Sequence, residues 1–192
     1  MPQHTQTEGV PLNIWQVAAR TGRAVRTNLA ARAIDAYSEP ASLVVDLLPG
    51  RGEVLAAAVV ARRSAFTSDR IARCRQEDAS SVDGVARLAL ALPLPDRLAP
   101  LRPCHVSPVA ARSMARRARR FLSTGGLLAV GVIARPGHDD LAGVVETVRS
   151  EGLAYFQHVI ALARDDVGEG TASHARGRGL AHIDLLVFEA RV

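Results

Sequence analysis

One stretch of the sequence restricts the fold more than any other, residues 43–55, which read LVVDLLPGRGEVL. An apolar run ends in a Gly-x-Gly turn at Gly50 and Gly52, and an Ala-rich helical pattern follows at once. A continuous apolar run is typical of a parallel strand that is covered on both faces. Glycine lets the backbone turn tightly and approach a ligand, because no Cβ intervenes. The stretch therefore predicts a nucleotide-binding strand–turn–helix unit, with its ligand at the carboxyl end of the strand.

Apolar runs and helical patterns alternate along the rest of the chain. Strands are predicted at 43–48, 64–67, 127–133, 154–163 and 183–189, with a further candidate at 103–106 and another at 85–92 that reads equally as a helix. Helices are predicted at 53–62, 69–77, 113–122 and 141–151. This alternation is typical of a parallel sheet with helices on both faces. Only a Gly-rich segment joins the last two strands, so we expect them to pair as an antiparallel hairpin.

The length of 192 residues suits one domain with a sizeable core. Residues 1–10 are polar and are predicted to be a disordered lead, while 11–192 form the domain and 164–179 a mobile loop within it. From Ile14 to Tyr37 apolar residues recur at helical spacing, which predicts two helices that Gly22 divides.

Composition excludes several classes of protein. No apolar run reaches the roughly 18 to 20 residues that a membrane span needs, and no signal-peptide pattern opens the chain, so we expect a cytoplasmic protein. The two cysteines form no CxxC pair and the histidines lack ligand spacing, so we expect no metal site. All 24 basic residues are Arg, which is typical of a high-GC bacterium, and the net charge of +5 permits nucleic-acid binding without establishing it.

The order and spacing of these segments resemble the S-adenosylmethionine-dependent methyltransferase fold over roughly residues 11–192. The closest branch is that of the DNA methyltransferases that act on amino groups, whose first strand runs into Asp-Pro-Phe-x-Gly-x-Gly. Asp46, Gly50 and Gly52 match that motif, and residues 152–162 and 181–188 resemble the closing strands of the branch. The resemblance implies a single Rossmann-like α/β domain, with a mostly parallel seven-stranded sheet and a C-terminal antiparallel hairpin.

The same resemblance implies S-adenosylmethionine as the cofactor, bound at the glycine turn. It assigns cofactor contacts to Asp46, Gly50, Gly52 and Asp69, whose carboxylate would accept hydrogen bonds from the ribose hydroxyls. Each acid also has an ordinary structural interpretation, Asp46 as a strand-end turn residue and Asp69 as a helix N-cap. Arg51, inside the turn, could hold the cofactor carboxylate or fill the site.

The catalytic motif of the branch is Asp/Asn/Ser-Pro-Pro-Tyr/Phe, whose polar groups accept hydrogen bonds from the target amine and whose ring stacks on the extruded base. Ser107 and Pro108 are the best match and the predicted catalytic residues, but Val109 and Ala110 replace the second proline and the aromatic residue. A missing ring removes stacking on the order of 1 to 3 kcal/mol per base. The departure predicts weak or lost catalysis. In the alternative interpretation, Ser107 and Pro108 only cap the following helix.

Basic residues crowd the segment after this motif, where they could contact phosphates or form a solvated helix face. The predicted nucleic-acid contacts are Arg112, Arg116, Arg117, Arg119 and Arg120. Three hypotheses therefore remain, and whether the protein is an enzyme stays open. In the first, it is a methyltransferase-like protein that binds DNA or another nucleic acid with little or no turnover. In the second, it is an active methyltransferase on another acceptor, which Ser107 or His105 positions. In the third, it is a non-catalytic structural or regulatory partner of another protein.

Overall fold

A computed structural model describes residues 10–18, 22–69, 82–92, 106–133, 141–164 and 182–191. The predicted disordered lead, the predicted helix after Asp69, the predicted loop beyond Arg164 and most of the candidate strand 103–106 lie outside the described residues.

The described elements are seven strands and four helices. In chain order they are β1 Leu12–Ala18, α1 Gly22–Tyr37, β2 Leu43–Asp46, α2 Glu53–Val60, β3 Ser64–Thr67, β4 Ala86–Ala91, α3 Pro108–Phe121, β5 Leu122–Ile133, α4 Leu141–Ser150, β6 Leu153–Arg164 and β7 His182–Ala190. The ambiguous stretch 85–92 is a strand. The glycine pair Gly125 and Gly126 lies inside β5, and the preceding helix ends at Phe121.

All seven strands form one sheet in the order β1-β6-β7-β5-β4-β2-β3. Neighbouring strands are parallel except where β7 pairs antiparallel with both β5 and β6. The predicted α/β class, the mostly parallel seven-stranded sheet and the closing hairpin are confirmed. The carboxyl ends of β2, β3 and β4 consequently meet at the same edge, where parallel α/β sheets bind their ligands.

The prediction of a helix from Ile14 is wrong, because these residues form the edge strand β1 parallel to β6. Trp15 and Val17 are buried against the core, while Leu12 and Ile14 are 59% and 64% exposed on the opposite face. This alternation has the period of two that a half-buried strand requires. The helical prediction is correct only from Gly22 onward, where α1 begins.

Two hydrophobic clusters cover the two faces of the sheet, so the molecule has three layers. One cluster joins α3 and α4 to the sheet through side chains such as Met114, Phe121 and Phe188. The other joins α1 and α2 to the opposite face, with Leu29 and Ile34 among its members. Among the described residues, no helix is long and apolar enough to cross a membrane.

Candidate functional site

The glycine turn lies directly after β2, at the carboxyl edge of the parallel strands. β2 ends at Asp46, and α2 begins at Glu53 with Gly52 as its N-cap residue. Gly52 has a left-handed backbone with φ of 88°, and a Cβ built on it would meet nothing within 4 Å. Such a conformation favours glycine. The space over Gly52 is therefore open, and its role in binding a cofactor stays a prediction.

A buried arginine that the sequence analysis did not single out occupies the inside of this turn. The Arg26 guanidinium comes from α1 and is enclosed, with its side chain 0% exposed. Its Nη2 donates to the Asp46 carboxylate at 3.3 Å and to the Leu48 carbonyl at 2.5 Å. Its Nη1 donates to Glu53 Oε2 at 3.1 Å. One cation thus joins the strand end, the turn and the start of α2.

Gly50 is required by the close approach of this guanidinium. A Cβ at position 50 would lie 1.8 Å from Arg26 Nη1 and 2.7 Å from Glu53 Oε2, distances at which atoms must shift. The cation that fills the turn is therefore Arg26. The Arg51 side chain is exposed instead, while its backbone N–H donates to Glu53 Oε2 at 2.9 Å.

The carboxylates around the turn form a compact acidic group. Burial raises the pKa of Asp46 above its ordinary value, while the charge of Arg26 and the N–H of Leu48 oppose that rise. The negative charges of Glu53 and Asp69 also raise the Asp46 pKa, because both carboxylates lie near it. The structure therefore brings together the predicted residues Asp46, Gly50, Gly52 and Asp69.

Asp69 lies two residues after β3 and is half-buried at the same edge of the sheet. Its neighbour Ser68 is buried and accepts a hydrogen bond from Arg117 of α3. Arg117 therefore lies beside the glycine-turn region.

Ser107 and Pro108 lie at the start of α3. Ser107 is the N-cap residue, and its Oγ accepts a hydrogen bond from the Ala110 N–H at 3.2 Å. Pro108 occupies the first turn, which suits a residue without an N–H. Both side chains and that of Val109 are exposed. The capping interpretation describes what these residues do in the structure, and their catalytic role stays a prediction.

The other arginines of α3 contact acidic or carbonyl oxygens of the chain. Arg112 and Arg116 pair with the Glu151 carboxylate at 3.3 and 2.9 Å, and Arg119 donates to the Glu151 carbonyl at 2.7 Å. Arg120 pairs with Asp83 at 2.9 Å. A hydrogen bond from Arg116 and the neighbouring arginine charges lower the pKa of Glu151.

A second polar cluster lies on β6 and β7. The buried carboxylate of Asp184 contacts His158 Nε2 at 2.8 Å and His182 Nε2 at 3.4 Å. Within the described ranges, no group of three or more His, Cys, Asp or Glu side chains is arranged to hold a metal ion.

Solved structures of methyltransferases share this architecture. A 1,6-didemethyltoxoflavin-N1-methyltransferase from Burkholderia thailandensis, solved with S-adenosylhomocysteine, superposes with a TM-score of 0.57 at 12% identity, covering 86% of this chain and 78% of that one. An S-adenosylmethionine-dependent methyltransferase from Archaeoglobus fulgidus gives 0.52 at 11% identity, covering 88% and 96%. The protein has the methyltransferase fold.

A third similar structure shows that this fold does not by itself assign a reaction. The [4+2]-cyclase SpnF gives a TM-score of 0.50 at 14% identity, covering 96% of this chain and 88% of that one. No protein-family model matches the sequence, and no curated protein matches it in sequence. The comparisons give the methyltransferase fold, and they do not support a specific relation to the DNA amino-methyltransferases.

Proposed function

We propose that the protein binds S-adenosylmethionine at the glycine turn and is a methyltransferase-like protein with weak or lost catalysis. The observation that carries the proposal is the Gly-x-Gly turn at the carboxyl end of β2, with open space over Gly52. On a methyltransferase fold, this is the edge of the sheet where a nucleotide-like ligand binds.

The residues at this edge fit the cofactor in two respects. Gly52 leaves room for the close approach of a ligand, and Asp69 follows β3 where a carboxylate can accept hydrogen bonds from ribose hydroxyls. Asp46 differs from the expectation, because its carboxylate is fully buried and bound to Arg26. We infer that Asp46 contributes to binding through the turn rather than by a direct contact.

The more specific part of the proposal is a relation to the DNA amino-methyltransferases. In it, Ser107 and Pro108 contact the methyl acceptor, and the arginines of α3 contact nucleic acid. Its support is that the side chains of Arg112, Arg116 and Arg120 are 55%, 67% and 52% exposed. Surface ion pairs contribute little stability, so phosphates can replace the carboxylates that these arginines contact. The departures at Val109 and Ala110 support weak or lost catalysis.

The second candidate is a non-catalytic structural or regulatory partner protein that binds no cofactor. The observation that favours it is the Arg26 guanidinium, which occupies the inside of the turn and engages both Asp46 and Glu53. A cofactor that needed those two carboxylates directly would find them already bound.

Calorimetric titration with S-adenosylmethionine tests the proposal. We expect the wild-type protein to bind and Gly52→Asp to lose binding, because its carboxylate would enter the open space over the turn. Gly84→Asp is the matched control, since Gly84 also has a positive φ, 69°, and open space where a Cβ would lie. Gly84 lies before the amino end of β4, whereas the glycine turn lies at the carboxyl ends of the parallel strands. Absence of binding by the wild type at high ligand concentration would contradict the proposal and favour the partner protein.

Transfer of a radiolabelled methyl group to DNA then separates turnover from binding alone. We expect little or no transfer. We also expect DNA affinity to fall steeply with added salt, because phosphate contacts release counterions. Rapid transfer would contradict lost catalysis, and salt-independent DNA affinity would contradict the role of the α3 arginines.

A further inference from the structure

The carboxylates that bind Arg26 also bind the backbone of the glycine turn. Asp46 accepts from Arg26 and, through Oδ1, from the Leu48 N–H at 3.1 Å. Glu53 accepts from Arg26 and, through the same Oε2, from the Arg51 N–H at 2.9 Å. The guanidinium therefore holds two carboxylates, and each of those carboxylates fixes one N–H of the turn.

A third contact joins Arg26 to the turn directly, through the Leu48 carbonyl. A planar guanidinium presents several donors in a fixed fork, so one side chain can bridge acceptors on three segments. Its remaining donor, Nε, is buried without a hydrogen-bond partner among the described residues. The hydrogen bonding of Arg26 is thus directed wholly through its two terminal nitrogens, toward the turn.

Helix α1 delivers this cation because Arg26 belongs to its buried face. Arg26 is spaced three, four, seven and eight residues from Leu29, Ala30, Ala33 and Ile34, all of which are buried in the α1 layer. Residues with this spacing share one face of a helix. The packing of α1 on the sheet therefore fixes where the guanidinium lies relative to the turn.

Removal of the guanidinium would take from these two buried carboxylates the cation that they share. A buried carboxylate that loses a bound cation is less stable as a charge. The Asp46 and Glu53 side chains would then turn toward water and release the N–H groups of Leu48 and Arg51. The shape of the turn consequently depends on a group that faces the protein interior and leaves the open surface over Gly52 free.

We propose that Arg26 is a positioning residue, which holds the glycine turn in its ligand-binding shape without touching the ligand. The identity of the ligand, S-adenosylmethionine, rests on the proposed function. The effect on the turn does not depend on it.

The first test compares Arg26→Ala with Arg32→Ala in titrations with S-adenosylmethionine. Arg32 is the matched control, because it lies on the same helix, is exposed, and contacts Gln16 and the Trp15 ring rather than the turn. We expect Arg26→Ala to weaken binding by roughly 10- to 100-fold, the scale on which the loss of an orienting residue weakens binding at metal sites, and Arg32→Ala to bind as the wild type does. Millimolar methylguanidinium should restore affinity to Arg26→Ala, whereas tetramethylammonium should not.

The second test measures hydrogen exchange at the Leu48 and Arg51 amides without any ligand. We expect Arg26→Ala to accelerate exchange at these two amides far more than in the β-strands, and methylguanidinium to slow it again. A merely destabilised protein would accelerate exchange throughout the core. If the wild type bound no S-adenosylmethionine, the proposed function would fail while this measurement still decided the role of Arg26.

If Arg26→Ala does not fold, Gly50→Ala takes its place in both tests. It keeps every charge but displaces the guanidinium and the Glu53 carboxylate that it binds, so we expect the same local acceleration at Leu48 and Arg51 and the same loss of affinity. Arg26→Lys, which keeps the charge but not the fork, should give an intermediate result. Unchanged exchange at both amides in Arg26→Ala, or in Gly50→Ala where the first does not fold, would overturn the proposal.

Discussion

The two glycines of the turn are required for different physical reasons. Gly52 has a positive φ and open space around it, so its requirement is conformational. Gly50 is required because the Arg26 guanidinium lies where a Cβ would be. The sequence pattern predicts both glycines, but it attributes both to a ligand, whereas Gly50 is explained by a side chain of the protein itself.

A double-mutant cycle separates these two reasons. We expect Gly50→Ala to lower the free energy of unfolding by about 1–3 kcal/mol through overpacking, and Gly52→Ala to lower it by about 1–2 kcal/mol through backbone strain. In an Arg26→Ala background, Gly50→Ala should lose most of its effect, because the closer of the two atoms that it displaces is gone, while Gly52→Ala should remain additive within about 0.5 kcal/mol. Urea unfolding of the single and double variants measures both terms. Additivity of Gly50→Ala with Arg26→Ala would contradict the assigned contact.

For single residues, the sequence predicts where a side chain lies in the fold better than it predicts which side chain binds it. Asp46 and Asp69 lie at the strand ends, as expected, yet nothing local to Asp46 indicates that Arg26 binds it. The available signal is the placement of Arg26 among the apolar positions of α1, where a charge must be paired if it is buried. Which carboxylates pair with it depends on how α1 packs, a tertiary contact that spacing along the chain does not reveal.

Among the elements, β1 shows how a short apolar pattern can mislead. Ile14, Val17 and Ala18 have helical spacing. Leu12 and Ile14, and likewise Trp15 and Val17, are two residues apart, which is the spacing of side chains on one face of a strand. Both periods fit so short a stretch. Pairing with β6 decides in favour of the strand, since it satisfies the backbone and buries Trp15 against Tyr37, with ring centroids 5.8 Å apart.

Substitutions at two adjacent positions test this strand. Trp15→Ala should destabilise the protein by about 3–5 kcal/mol, because it empties a core position. Ile14→Thr should change stability by about 0.5 kcal/mol or less, because that side chain faces away from the core and stays β-branched. Unfolding followed by circular dichroism measures both, since Trp15 is the only tryptophan. Similar costs at the two positions would contradict the alternation.

Elements with strong local signals are predicted correctly. The strand–turn–helix unit around Gly50 combines an apolar run, glycines and an Ala-rich helix, and the sequence between β6 and β7 is Gly-rich and has no helical pattern. These signals are confined to the segments themselves. The paired neighbour of β1 is far along the chain, and no local signal specifies it.

Across the whole molecule, several arginines form ion pairs that join one element of the fold to another. Arg26 fixes the turn, Arg112 and Arg116 join α3 to Glu151 after α4, and Arg120 reaches Asp83 before β4. The count of 24 arginines therefore includes several whose charge is paired within the fold. Composition predicts the charge but not its internal pairing, because the pairing depends on the tertiary contacts between helices and turns.

Alkaline titration tests the packing of the whole molecule, because both tyrosines of the chain are in contact with its core layers. Burial raises the pKa of Tyr37 from 10.0 to about 12, and burial together with the charge of Asp184 raises the pKa of Tyr155. The folded state thus holds these protons more tightly than the unfolded chain. Stability should therefore fall as the pH rises from about 10, where unfolded tyrosine ionises, toward the higher folded values.

We expect the tyrosinate absorbance of the native protein to show no step near pH 10, whereas the protein in denaturant should titrate there. Tyr37→Phe should reduce the loss of stability above pH 10, because one of the two ionisable phenols is gone. At neutral pH this variant should lose about 1 kcal/mol, since the Tyr37 hydroxyl donates to Gln157 across the α1–β6 contact. A step near pH 10 that Tyr37→Phe removes, while circular dichroism still reports the folded state, would contradict the burial of Tyr37.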